Sequence, residues 1–285
     1  FSEMVLIDVD KDRAEGEAMD ISHGASFAGP MKIYAGGYED VGDAAIIVIT
    51  AGANQKPNET RLDLVQKNAK IMTDVVTQIK EQEYKGILLI VSNPVDIMTQ
   101  VAMEVSGFPE HRVFGSGTVL DSARLRYHLG QHLGVDSRSV HAFVIGEHGD
   151  SEIAAWSSAN VSGVPLNSFC EMRGHFNHEG NTESIEEQVK NSAYEIIAKK
   201  DATYYGIAMV VKRICQAIVR DEKSIFPISL RMHGEYALED VVLSMPAIVG
   251  ARGIETTIPI SLDEKEVSRL HESAEMLRET RKEIR

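Results

Sequence analysis

The first half of the chain alternates short apolar runs with longer helical patterns, and this alternation constrains the fold more than any other feature. The runs are EMVLIDVD (3–10), AAIIVIT (44–50) and GILLIVS (86–92). Near-continuous apolar runs of this length are typical of strands that are buried on both faces of a parallel sheet. We therefore expect the three runs to be neighbouring, buried strands.

Residues 60–83 lie between the last two runs and predict an amphipathic helix. The stripe that we expect to face the core consists of Leu64, Asn68, Ile71, Val75 and Ile79, spaced three or four residues apart. A strand, a helix and a strand in this order favour right-handed crossovers and a doubly wound α/β fold with a parallel sheet.

After about residue 115 the pattern changes, which predicts a second, α+β domain. We expect a helix over 119–134, a strand over 138–145 and a long helical pattern from about 186 to 220. The predicted division is a dinucleotide-binding domain over 1–115 and a substrate domain over 116–285.

Two further signals mark helix ends. The polar stretch 171–185 predicts a surface connection, with Ser184 as the candidate cap of the long helix. Asp263 and Glu266 have the spacing of a capping box, followed by apolar positions at helical spacing. We therefore expect a terminal helix packed on the core.

Composition excludes several classes of function. The formal net charge of −14 opposes binding to nucleic acid or to an anionic membrane surface. No apolar run approaches the roughly 20 residues that span a bilayer, and the first residues carry acids where a signal peptide carries basic residues. Cys170 and Cys215 lack the spacing of a zinc site. We expect no metal and a cytoplasmic location.

Asp8 ends the first apolar run, at the edge where parallel sheets place their ligands. An acid there can accept hydrogen bonds from an adenosine ribose, although a turn-forming acid explains it equally well. A glycine-rich phosphate loop should precede such an acid by about 20 residues, yet only seven residues precede Asp8. We therefore expect the loop and the first strand of the sheet to be absent from this chain.

The segment 52–68 carries Gln55, Lys56 and Arg61 on a glycine- and proline-bearing loop that runs into a helix. Such a loop can act as a lid that delivers charge to a closed site, where Arg61 would polarise a carbonyl group. The alternative is a solvated arginine in the first turn of a helix.

Three polar groups follow or begin the next predicted elements. Asn93 ends the third apolar run, where its amide would project into the ligand crevice or form a turn before Pro94. Asp121 and Arg124 are three apart on one helical face. They either point into one cavity or form an ordinary salt bridge.

His148 is the strongest catalytic candidate. It lies between two glycines in GEHGD (146–150), directly after an apolar run, and such a loop exposes an imidazole. Acid–base catalysis needs a carboxylate on the other ring nitrogen, and Asp121 is the candidate. A lone exposed histidine is more often inert, so the hypothesis rests on the set of motifs together.

The ordered motifs GANQKPNETRLDLVQKN, SNPVD, GSGTVLDSARLR, GEHGDS and KKDATYYGIAM resemble the L-lactate and malate dehydrogenase family, in its bacterial lactate branch. The resemblance runs from about residue 3 to the end of the chain. It implies a Rossmann-type fold, NAD as cofactor, and reversible hydride transfer between NADH and pyruvate that gives L-lactate and NAD.

The resemblance also implies residue roles. His148 donates a proton, Asp121 stabilises its charged form, Arg124 binds the substrate carboxylate and Arg61 polarises the carbonyl. The residues implied to complete the substrate pocket and the cofactor site are Gln55, Asn93 and Thr203, and Asp8, Thr50, Gly52 and Asn93.

The resemblance implies that Gln55 decides between pyruvate and oxaloacetate, because malate enzymes of this family carry an arginine at its position. The motifs depart from the family at Asn58 and Asp201, where glycine is usual. Arg126 and His141 match positions at which bacterial members bind fructose 1,6-bisphosphate, although the same pair occurs in members that lack this activation. The resemblance further implies a homotetramer.

Two alternatives stay open. The chain could be a malate or other 2-hydroxyacid dehydrogenase, or it could be a non-catalytic relative if the glycine loop is truly lost.

Overall fold

The computed structural model describes residues 1–53 and 60–284, apart from the side chain of residue 61. Strands and helices alternate through the first half, as predicted. The strands are β1 (Glu3–Leu6), β2 (Lys32–Ala35), β3 (Ile46–Ile49), β4 (Ile87–Ile90) and β5 (Val113–Gly115), and the helices are α1 (Lys11–Gly24), α2 (Arg61–Glu81) and α3 (Val95–Ser106).

The predicted parallel strands form two separate parts. β1 pairs with β2, and β3 pairs with β4, which pairs with β5, all in parallel. Within the described residues, no strand pairs with the outer edge of β3. The two parts therefore share no hydrogen-bonded strand.

Burial follows this division and corrects one expectation. β4 is buried along its whole length, as predicted for a strand with neighbours on both sides. β1 and β3 were predicted to be buried as well, but most of their residues are only half-buried. Among the described residues, each of these two strands has a partner on one side only, so less of its surface is covered.

The second half contains short strands, four long helices and a large antiparallel sheet. Its strands are β6 (Val140–His141), β7 (Val144–Ile145), β8 (Ile153–Ala154), β9 (Asn160–Val161), β10 (Val164–Pro165), β11 (Ser224–His233), β12 (Glu239–Gly250) and β13 (Gly253–Thr257). Its helices are α4 (Val119–Leu133), α5 (Leu166–Met172), α6 (His178–Lys200), α7 (Tyr205–Val219) and α8 (Glu264–Lys282).

The two halves share one sheet. β11 pairs antiparallel with β5, where Ser229 lies opposite Gly115, and the sheet runs in the order β13-β12-β11-β5-β4-β3. Gly117 follows β5 with φ +51°, and a Cβ there would lie 2.6 Å from the backbone nitrogen of Ser229. Glycine therefore permits the close approach that joins the parallel strands to the antiparallel ones.

The long helical pattern predicted over 186–220 is interrupted. α6 begins at His178, so Ser184 lies inside the helix and does not cap it; Asn177 is the cap, and it accepts a hydrogen bond from the Gly180 N–H. α6 buries few apolar residues, so hydrophobic periodicity marks its start poorly.

Two other predicted elements differ from the structure in detail. The strand predicted over 138–145 is two short strands, β6 and β7, in different sheets. In α2 the buried positions are shifted by about one residue from the predicted stripe, since Leu64, Ile71 and Val75 are only half-buried. The buried residues of this helix are Val65, Asn68, Ala69, Met72, Val76 and Ile79.

The terminal helix matches its prediction. Asp263 and Glu266 form the capping box of α8, in which each side chain accepts a hydrogen bond from the other residue's backbone N–H. Leu270, Ala274 and Leu277 are buried against the core around the six-stranded sheet. None of the helices in the described ranges is long and apolar enough to cross a membrane.

Asp201 ends α6 in a left-handed conformation. Its φ is +66° and its N–H donates to the carbonyl of Ile197 at 2.7 Å. A side chain is disfavoured there because Cβ crowds the backbone, which explains why glycine suits this position. The negative charge also lies at the negative end of the helix dipole.

We predict that Asp201→Gly stabilises the protein by about 0.5 to 1 kcal/mol, because it relieves both effects. Asp201→Ala is the matched control, since it removes the charge but keeps Cβ. Denaturant unfolding should find the glycine variant more stable than the alanine variant. Equal stability of the two would contradict the backbone explanation.

Candidate active site

The loop that carries His148 is fixed to the six-stranded sheet. β7 ends at Ile145, and the chain turns at Gly146, whose φ is +84°. The Gly146 N–H donates to the carbonyl of Ser244 on β12 at 2.9 Å, and the Ser244 N–H donates back at 2.8 Å. This exchange holds the start of the loop in place.

His148 and Asp121 form the predicted contact. Nδ1 of His148 lies 2.7 Å from Oδ2 of Asp121, whose side chain is 3% exposed in the first turn of α4. The other oxygen, Oδ1, accepts a hydrogen bond from Nη1 of Arg124 at 2.7 Å. The salt bridge that was the alternative for Asp121 and Arg124 is therefore present together with the histidine contact.

The charges of this cluster control the proton on the imidazole. Burial by itself would lower the pKa of His148, but the charge and hydrogen bond of Asp121 outweigh it and raise that pKa to about 9. Burial opposes ionisation of Asp121, yet His148 and Arg124 hold its pKa below the ordinary value. At neutral pH the pair is an imidazolium and a carboxylate.

Two acids of the cluster were not identified from the sequence. Asp96, in the first turn of α3, accepts a hydrogen bond from the backbone N–H of His148 at 2.7 Å. A carboxylate oxygen of Glu152 lies within 4.8 Å of a carboxylate oxygen of Asp121 and of a ring nitrogen of His148. Burial, followed by the charge of Asp121, raises the pKa of Glu152 to about 8. Asp96 is the last residue of the motif SNPVD, and Glu152 directly follows GEHGDS, so the motifs themselves were the available signal.

Asp121, His148 and Glu152 have a spacing that could hold a metal ion. Both oxygens of Asp121 are already engaged, however, one by the Arg124 guanidinium and one by the His148 ring. A cation would compete with two positive charges, so the arrangement suits proton transfer better than metal binding.

The predicted cofactor residues of the larger sheet lie together at its carboxyl edge. Thr50 and Gly52 follow β3, Asn93 follows β4, and all three are exposed. The buried amide of Asn68 joins the two segments, accepting from the Ala53 N–H at 2.8 Å and donating to the Asn93 carbonyl at 3.0 Å. This edge is therefore ordered and open to a ligand.

Asp8 lies just beyond the end of β1, which forms a two-stranded sheet with β2, and its side chain is exposed. Its Oδ1 accepts a hydrogen bond from the Asp10 N–H at 2.9 Å, so the turn-forming role is present. The second carboxylate oxygen has no recorded bond within the described ranges, which leaves it suited to a ribose hydroxyl.

Two predicted residues of the lid cannot be placed. Gln55 and the side chain of Arg61 lie outside the described residues, as does Asn58. Thr203 is half-buried in the short connection between α6 and α7, two residues after Asp201.

Arg126 and His141, the predicted bisphosphate residues, lie on α4 and β6, which pack against each other. Arg126 is half-buried and donates from Nε to the carbonyl of Ser122 at 3.1 Å. His141 is exposed. The structure records no bond between the two side chains.

Comparison with known proteins identifies both halves of the chain. Residues 1–115 match the lactate/malate dehydrogenase NAD binding domain, and residues 118–285 match the alpha/beta C-terminal domain of the same proteins. The L-lactate dehydrogenase of Acetivibrio thermocellus is 48% identical over 98% of this chain and 88% of its own length. That of Priestia megaterium is 49% identical over the same shares.

Solved structures agree. A lactate dehydrogenase enzyme from a Medee basin deep-sea metagenome library has a TM-score of 0.96 and 46% identity, covering 99% of this chain and 90% of its own. The minor L-lactate dehydrogenase from Enterococcus mundtii, in its ligands-bound form, has a TM-score of 0.96 and 42% identity, covering 100% and 90%.

These matches confirm the predicted resemblance, the α/β fold with a Rossmann-type domain, NAD as cofactor and the oxidoreductase class. Since the two matched segments cover nearly all of the 285 residues, the chain belongs to the lactate/malate dehydrogenase family.

Proposed function

We propose that this chain is an L-lactate dehydrogenase that interconverts pyruvate and L-lactate, with His148 as its acid and base. The observation that carries the proposal is the contact of half-buried His148 with the buried carboxylate of Asp121 at 2.7 Å, which keeps the imidazole protonated at neutral pH. The names of the relatives support the same substrate pair.

The cofactor site is assigned to the carboxyl edges of β1, β3 and β4. Thr50, Gly52 and Asn93 are exposed at one edge, and Asp8 offers a carboxylate oxygen at the other, as dinucleotide sites require. NADH bound there supplies the hydride.

The proton comes from His148. As hydride arrives at the carbonyl carbon of pyruvate, negative charge develops on the carbonyl oxygen, and Nε2 donates its proton to that oxygen. Nδ1 stays bonded to Asp121, which fixes the ring and stabilises the charged form. In the reverse direction, neutral His148 accepts the proton of the lactate hydroxyl.

Arg124 and Arg61 are assigned to the substrate anion and the carbonyl. Arg124 uses Nη1 for Asp121, and its remaining N–H groups are suited to the carboxylate of pyruvate. Arg61 polarises the carbonyl from the lid. Asn93 and Thr203 complete the pocket.

Gln55 selects pyruvate over oxaloacetate. In a closed pocket the second carboxylate of oxaloacetate would lack a partner, which costs roughly 3–5 kcal/mol. A malate dehydrogenase is the alternative within the family.

We extend the proposal to the regulation, assembly and location of the protein. The Arg126 guanidinium and the exposed imidazole of His141 are side chains that can bind a bisphosphate activator, and the chain assembles as a homotetramer. We also propose that the NAD-binding and substrate domains meet between residues 115 and 116, that the protein is located in the cytoplasm, and that it binds neither nucleic acid nor membranes.

We predict that the protein oxidises NADH with pyruvate at a kcat/KM about 100-fold or more above that with oxaloacetate, because of the unpaired carboxylate. The loss of NADH absorbance measures both rates, with and without fructose 1,6-bisphosphate. The bisphosphate should increase the pyruvate rate at neutral pH. No turnover with either acid would contradict the enzyme function. A pyruvate rate that the bisphosphate leaves unchanged would contradict the proposal that it activates the protein.

Gln55→Arg tests the substrate assignment in the same assay. This variant should move the ratio toward oxaloacetate, since the arginine pairs with the second carboxylate. An unchanged ratio of the two kcat/KM values would show that substrate choice does not depend on this position.

We predict that Asp121→Asn lowers kcat/KM for pyruvate by about 100-fold or more and moves its alkaline limb to lower pH. The sign follows from the pKa of His148, which Asp121 raises and burial lowers. Asp136→Asn is the control, because Asp136 pairs with Arg138 at 2.6 Å on the surface. An alkaline limb at the same pH in both variants would contradict the role of Asp121.

A further inference from the structure

Asp96 is a fully buried carboxyl group that lies behind the catalytic loop. It is 1% exposed, in the first turn of α3. Oδ2 accepts the backbone N–H of His148 at 2.7 Å, and Oδ1 accepts the hydroxyl of Ser229 at 2.6 Å, with the Ser244 hydroxyl at 3.4 Å. One side chain therefore connects α3, the histidine loop, β11 and β12.

A neutral acceptor could make these bonds at lower cost. Burial raises the pKa of Asp96 to about 6, so the group is an anion at neutral pH although its surroundings oppose the charge. The three donors and the nearby imidazolium of His148 compensate for part of this cost. A charge kept under such conditions is more typical of a functional site than of a core.

The neighbouring charges make this anion useful to His148. Asp121 contacts the ring directly, while Asp96 reaches the same residue through its backbone, and Glu152 adds a third acid. Glu147, next to His148, is also buried and opposes ionisation of Asp96. Besides His148, the described cations near this cluster include Arg124, which is bound to Asp121, and Lys190, which pairs with Glu186 and lowers the pKa of Glu152.

We propose that Asp96 is a positioning residue for His148: it holds the backbone of the histidine loop, and its charge favours the imidazolium that donates the proton. This inference deepens the proposed function and rests on it. Because Asp96 contacts the main chain of His148 and not its ring, its effect on the reaction is indirect.

Asp96→Asn separates the charge from the geometry. The amide oxygen can still accept the His148 N–H, while the amide NH₂ donates to Ser229, whose hydroxyl can rotate to accept. The alkaline limb of kcat/KM for pyruvate reduction should move down by roughly half a pH unit or more. Asp96→Ala removes both functions and should also lower kcat about tenfold or more at an unchanged KM for NADH.

Thr99→Val is the matched control. Thr99 lies on the same helix, is fully buried and donates only to the carbonyl of Val95 in the recorded bonds. This variant should keep the wild-type limb. The proposal would be overturned if the alkaline limb of kcat/KM in Asp96→Asn lay at the same pH as in wild type and in Thr99→Val.

A measurement on the unmodified protein needs neither folding of a variant nor activity. The amide proton of His148, followed by NMR after labelling histidine with ¹⁵N, should titrate with the carboxyl group that it contacts, with a midpoint near pH 6. Turnover of wild type with pyruvate tests the proposed function separately. A midpoint above about pH 7 would overturn the proposal, because Asp96 would then be largely uncharged when His148 donates its proton.

Discussion

The ion pair of half-buried His148 with the buried carboxylate of Asp121 is the interaction on which the rest of the site depends. Asp121 is placed by the start of α4, immediately after β5, and His148 by the loop after β7. The six-stranded sheet brings these segments together, because β5 pairs with β11 and Gly146 bonds to β12. Joining the parallel and antiparallel strands therefore brings His148 to Asp121, the contact on which the proposed catalysis depends.

The site concentrates negative charge around one imidazole. Asp96, Asp121, Glu147 and Glu152 are buried near His148, and Arg124 compensates Asp121. This excess keeps the imidazole protonated, as reduction of a carbonyl requires, but it also opposes an anionic substrate. Arg124 supplies a compensating positive charge, and the carboxylate that it shares with His148 holds it beside the imidazole, as its proposed role at the substrate carboxylate requires.

Local patterns predicted the strand and helix alternation, the capping box of α8, and the pairing of Asp121 with His148. They failed where distant parts of the chain decide the outcome. The half-burial of β1 and β3 depends on which strands pair with them, and the hydrogen bond from Ser229 to Asp96 spans 133 residues. The break between α6 and α7 depends on a left-handed aspartate, which no periodicity in the sequence indicates.

The most direct test of this account is the titration of the His148 ring, followed by the NMR shifts of its carbon-bound protons in the protein without substrate. We predict a pKa of about 9, because the buried carboxylate of Asp121 outweighs the loss of hydration. A ring that titrates at or below the ordinary value of about 6.5 would contradict the account, since His148 would then be largely neutral at physiological pH.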